Sequence, residues 1–149
     1  MPTNNTLNGD SKELLSQVNS GCKMAIDSME QIGKYVDDKK LKDIIMKYNE
    51  AHIQLEDTSH RILNAAGAEG GEPGIWAKTF ASLQAKVKLM MKDDVHQAAS
   101  LLTDGCNMGI KSLHEYKNKY KAADEQSVGL CDQLCDLETK MVNELQPLL

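Results

Sequence analysis

The sequence predicts an all-α fold, and three observations carry that expectation. Aromatic residues make up only 4% of the 149-residue chain and prolines number three, while Lys, Glu, Leu, Met and Ala recur throughout, a balance that favours helix over sheet. Apolar residues return in steps of three and four, the spacing that keeps one stripe of a helix against a partner. The chain also repeats itself: GCKMAIDSM at residues 21–29 returns as GCNMGIKSL at residues 105–113, with Gly, Cys, Met, Ile and Ser at identical spacing.

The first nine residues are polar and are expected to be disordered, so a single bundle domain is expected over 10–149. Asp10 followed by Glu13 has the spacing of a capping box and predicts the start of the first helix, over 10–36. Its stripe reads Leu15, Val18, Cys22, Ala25, Met29 and Ile32. Asp37 and Asp38 suit a tight turn and the next helix N-terminus, where carboxylates meet the positive end of the helix dipole. The second helix, over 38–66, carries Leu41, Ile45, Tyr48, His52, Leu55, Ser59 and Ile62, and the short turn makes it antiparallel to the first.

GAEGGEPG at residues 67–74 is a breaker cluster and reads as a linker. It has neither the preceding strand nor the Gly-Lys-Ser/Thr ending that a phosphate-cradling loop needs. Trp76, Phe80, Leu83, Val87 and Met90 then form a shorter stripe over 74–91, which at about 1.5 Å per residue spans roughly 25 Å and serves as a crossover along one side of a bundle. Asp93 and Asp94 cap a third long helix over 94–120, with Val95, Ala99, Leu102, Cys106, Gly109, Leu113, Tyr116 and Tyr120 on its seam. Asp124 opens the fourth, over 124–147, with Ser127, Cys131, Leu134, Glu138, Met141, Leu145 and Leu148. Two helical hairpins thus flank one crossover helix, and the repeat falls on the first helix of each hairpin.

The net charge is −5, from 17 Lys and Arg against 22 Asp and Glu, and no strongly basic block stands out, so no nucleic-acid partner is expected. No apolar run approaches the roughly 20 residues of a membrane span, and the start MPTNNTLNGD lacks the basic and apolar regions of a secretory signal. A cytoplasmic location with no membrane partner is expected. Four cysteines without short loop-rich spacing are expected to remain thiols.

Counting outward from the two turns places position 22 opposite 52 and position 106 opposite 138. Near its midpoint each long helix then contributes one polar or thiol residue to a seam that is otherwise largely Leu, Ile, Val, Met and Ala: Cys22, His52, Cys106 and Glu138. A buried carboxylate or imidazole demands a partner. Thiolate, imidazole and carboxylate are ligands for zinc, iron or copper, and facing helices of a bundle are where such sites are built. The other reading is that the thiols are small hydrophobes and that His52 and Glu138 satisfy each other. Cys131, Cys135 and Glu56 flank the set, and any of them is able to replace a member. Cys131 and Cys135 share a helix face, where a disulfide is geometrically awkward. His60, His96 and His114 fall off the seams and are expected in solvent. Met24, Met29, Met46, Met90, Met91, Met108 and Met141 suit core gap-filling, although thioethers with thiols leave Cu(I) open. No nucleophile elbow is present.

Through GGEPGIWAKTFASLQAKV followed by LLTDGCNMGIKSLHEY, and through its order of helices, the chain resembles an uncharacterised bacterial family of ferritin-like four-helix-bundle proteins. The resemblance implies a ferritin-like bundle with a metal site at mid-height. Metal enzymes of that fold take one Glu from each of two helices and Glu-x-x-His from each of the others. Here Cys22 and Cys106 stand where Glu would be expected, Glu50 is one residue too close to His52, and Thr139, Lys140 and Met141 follow Glu138 without a histidine. The di-iron set is therefore not intact, and ferroxidase, oxygenase or iron-storage activity is not expected. Two functions remain in view: a bundle that binds one transition-metal ion, and a metal-free interaction or stress-related protein that self-associates. Ile26, Ile53 and Ile110, expected on the surface, leave a homodimer open.

Overall fold

A computed structural model describes residues 6–68 and 74–149 of the chain, and every regular element among them is helical. Residues 1–5 of the expected disordered start and 69–73 of the expected linker lie outside the described residues. The elements are α1 (Gly9–Gly33), α2 (Lys39–Ala65), α3 (Gly74–Lys88), α4 (Val95–Lys119) and α5 (Glu125–Leu145), followed by a 3-10 turn at Gln146–Leu148.

Local chemistry sets most of these boundaries. Asp38, Asp94 and Asp124 cap α2, α4 and α5 by accepting from the backbone N–H three residues on, at 2.8–2.9 Å. For α1 the expected cap is corrected: Asn8, not Asp10, accepts from Ser11 N at 2.7 Å. Asp10 lies inside the first turn, and its carboxylate accepts from Ala122 N across the molecule at 2.9 Å. Helices α1 and α3 stop three residues earlier than their stripes suggest, because the chain tightens there: Tyr35, Val36, Leu89 and Met90 all donate to carbonyls three residues back. Pro147, which lacks an N–H, falls in the tightened turn that follows α5.

The four long helices pack with α1 against α2, α4 and α5, and with α2 also against α5, while α3 lies on α1 and α4. Hydrogen bonds latch the two ends and fix the directions. At one end Asn8 Nδ2 donates to Ala122 O at 2.8 Å and Asp124 N donates to Ser11 Oγ at 2.8 Å, joining the start of α1 to the α4–α5 turn. At the other, Asp93 N donates to Tyr35 O at 2.6 Å and Asp37 N to Asp93 Oδ1 at 3.2 Å, joining the α1–α2 turn to the start of α4. Asp93 adopts a left-handed backbone (φ 58°) to do so. Helix α1 therefore runs antiparallel to α2 and α4 and in the same direction as α5.

Leu14, Leu15, Ile32, Leu41, Leu63 and Leu113 are fully enclosed in the core. Each stabilises the fold by about 1.5–3 kcal/mol relative to exposure. Met24, Met29, Met90 and Met141 are buried and Met108 is half-buried, but Met46 and Met91 are 70% and 72% exposed, so they do not fill the core. Met46 follows the inward Ile45 on α2, and Met91 lies beyond the end of α3. Ile53 is exposed, whereas Ile26 and Ile110 are half-buried rather than on the surface. His60, His96 and His114 are exposed.

Helix α3 is seated by the two glycines of the repeat. A Cβ on Gly21 would lie 2.9 Å from the Trp76 ring, and one on Gly105 would lie 3.1 Å from Leu83. Trp76, buried, also packs on Phe80 and Tyr116, with ring centroids at 5.7 and 5.8 Å. Gly129 in α5 has nothing within 4 Å of its would-be Cβ. Two substitutions of the same kind should therefore act oppositely in thermal melts followed by circular dichroism. Gly129→Ala should stabilise by up to about 1 kcal/mol through helix propensity. Gly21→Ala should destabilise, because overpacking costs about 1–3 kcal/mol and outweighs that gain.

Candidate functional site

The middle of the bundle holds a carboxylate against an imidazole. On α2 the repeat of three and four that buries Tyr48 also buries His52, and on α5 it buries Glu138 between Leu134 and Met141. His52 Nε2 and Glu138 Oε1 are 2.7 Å apart, with the imidazole wholly enclosed. His52 Nδ1 lies 2.6 Å from Tyr48 O. A backbone carbonyl only accepts, so Nδ1 must carry a proton. That assignment leaves Nε2 facing Glu138, and the contact holds one proton between nitrogen and oxygen.

The two cysteines of the repeat converge on the same carboxylate. Cys106 lies within electrostatic range of Glu138, and Cys22 within range of Glu138 and Glu56. Burial, followed by the negative charge of Glu138, pushes both thiols well above the ordinary cysteine range, so both are neutral. For His52 burial is the largest influence and acts downward, but the hydrogen bond and charge of Glu138, with the Tyr48 carbonyl, outweigh it and raise the pKa. Gly109 on α4 leaves a hollow over Glu138, where a Cβ would sit 3.8 Å from the carboxyl carbon. A cavity of about 30 Å³ reaches from Glu138, His52 and Cys106 along apolar side chains to Trp76 and Phe80 of α3. A water needs roughly 10–15 Å³, so the space suits an ion or a water or two.

Cys22, His52, Cys106 and Glu138, named from the sequence, are thus gathered around one carboxylate. The donors are not preassembled, however. Among the described residues no group of three or more His, Cys, Asp and Glu side chains is set to hold a metal ion. Cys131 and Cys135 do not join this centre: they lie nearer the start of α5, where Cys131 Sγ donates to Leu113 O at 3.7 Å.

Sequence reasoning missed a polar neighbour. Asn19, fully buried, donates from Nδ2 to Glu56 O, Glu56 Oε1 and Ser59 Oγ at 3.1–3.3 Å, and Ser59 is equally buried. Asn19 sits one turn before Cys22, and that spacing was the available signal. Its partner Glu56 was visible only as a flanking residue. No described helix is long and apolar enough to cross a membrane.

Removing one member of a buried ion pair strands the other, so Glu138→Ala should cost about 3–5 kcal/mol in denaturant unfolding. The double substitution His52→Leu/Glu138→Met should cost less than the sum of the two single ones. The pH dependence has a defined sign. Because the fold raises the His52 pKa, the stabilisation is fully present below the ordinary value of about 6.5 and is lost as pH rises through the folded value. The stability gap between the native chain and His52→Gln should therefore be wider at pH about 6 than at pH about 9. A gap independent of pH would contradict the shared-proton geometry.

No protein family, curated protein or solved structure matches the chain.

Proposed function

We propose that the protein is a cytoplasmic, ferritin-like four-helix bundle, with α3 as its crossover helix, that binds one transition-metal ion through Cys22, His52, Cys106 and Glu138. The observation that carries the reading is the orientation of His52. Its Nδ1–H is committed to the Tyr48 carbonyl, the arrangement that presents Nε2 as a ligand, and Nε2 points at a carboxylate flanked by buried thiols. Zinc, iron and copper all accept this mixture of sulfur, nitrogen and oxygen.

The chain's own residues would exchange protons for the metal. The proton between His52 and Glu138 leaves, and the thiols of Cys106 and Cys22 give up theirs while turning inward, so affinity should climb steeply with pH. Gly109 keeps the space beside Glu138 open, and the aliphatic walls exclude water. When bound, the ion supplies Lewis-acid charge or, for iron and copper, one-electron redox capacity.

A second reading, a metal-free protein that associates with itself or with another chain, is favoured by a different observation. His52 and Glu138 already satisfy each other at 2.7 Å, so the core is complete without an ion. Exposed Met46 and Ile53 on α2 would be the surface to cover.

Elemental analysis of protein purified without an affinity tag, and after anaerobic reconstitution, separates the two. One equivalent of metal that disappears in the Cys22→Ser/Cys106→Ser variant is the expected result. No metal under either condition overturns the first reading, and a strict monomer at high concentration in light scattering removes self-association.

A further inference from the structure

Helix α5 carries a second sulfur pair that the central site does not use. Cys131 and Cys135 are one turn apart, on the same face, where side chains at this spacing have Cβ atoms about 5–6 Å apart. Both are buried: Cys131 completely, and Cys135 with 9% exposure. Cys131 Sγ donates to Leu113 O on α4 at 3.7 Å, and the two sulfurs lie within electrostatic range of one another. Beside them, at the surface, Lys117 Nζ donates to Asp132 Oδ1 at 2.7 Å, and the ammonium lies within electrostatic range of both sulfurs.

This arrangement suits one kind of ligand. Among the described residues no group of three or more His, Cys, Asp and Glu side chains is set to hold a metal ion, so a centre wanting four donors is poorly served. A soft ion content with two sulfurs is not. A disulfide, the other fate of neighbouring thiols, is disfavoured by the geometry of a regular helix turn.

We propose that Cys131 and Cys135 form a two-sulfur site for a soft monovalent cation, Cu(I) being the biological representative, independent of the centre at Glu138. Two copper–sulfur bonds form, each thiol releases its proton to solvent, and copper stays monovalent throughout, so no oxidant or reductant is required. The two neutral thiols and the cation become a bis-thiolate complex carrying one net negative charge, which the Lys117 ammonium faces.

The test is anaerobic titration of the full chain with Cu(I) against a coloured Cu(I) chelator. Cys22→Ser/Cys106→Ser, in which the central site is disabled, should withhold one equivalent from the chelator, and adding Cys131→Ser or Cys135→Ser to it should in each case remove that equivalent. Retention of that equivalent in both α5 variants, or its loss in Cys22→Ser/Cys106→Ser while that variant melts normally, overturns the proposal. X-ray absorption at the copper edge of Cys22→Ser/Cys106→Ser with one equivalent loaded reads the donors directly. Two sulfur neighbours alone support the site, and a nitrogen or oxygen neighbour places the ion elsewhere and refutes it. Because the central site uses other residues, its failure to bind metal and the failure of this one are read separately.

Discussion

A carboxylate and an imidazole kept out of water between α2 and α5 set the terms for the middle of this bundle. Neither tolerates burial alone, since an uncompensated charge in such an interior costs several kcal/mol. Their 2.7 Å contact ties the register of α2 to that of α5, because a shift of either helix by one residue would turn one partner away. The side chains nearby conform to that demand. Gly109 is small enough to leave the carboxylate room, and Cys22 and Cys106 add sulfur without adding charge.

The internal repeat gains a physical meaning from this arrangement. In each copy the glycine faces outward to α3 and the cysteine after it faces the polar centre. Neighbouring positions on a helix point about 100° apart, so two adjacent residues serve two different surfaces. Gly21 receives the Trp76 ring and Gly105 receives Leu83, so one helix closes over both halves of the molecule. A Cβ at Gly21 would press on the Trp76 ring, and one at Gly105 would need the Leu83 side chain to yield by a few tenths of an ångström.

The ends of the bundle do a different job. Helical hairpins of similar length are able to pack in more than one direction, and hydrophobic stripes discriminate weakly among those choices. Asn8, Asp10 and Ser11 bind the α4–α5 turn, while Tyr35 and Asp37 meet Asp93 at the opposite end. Such contacts are directional, and they satisfy backbone groups that helix termini leave open. At the α2–α5 contact Glu144 accepts from both Tyr48 and Lys47, which fastens the end of α5 to the first half of α2.

What the sequence alone determined was local. Asp38, Asp94 and Asp124 could be identified as caps because a cap acts on its own next turn, and the buried stripes could be traced because helical periodicity is a property of neighbours. The layer of Cys22, His52, Cys106 and Glu138 was legible for the same reason, since short turns fix which heights face each other within a hairpin. Tertiary structure decided everything that depends on a residue from the other hairpin. It made His52 the partner of Glu138 and drew Asp10 away from the cap to Ala122. Each of those outcomes is a choice between acceptors or surfaces of similar local merit. Only the three-dimensional meeting of the hairpins supplies the energy difference that makes it.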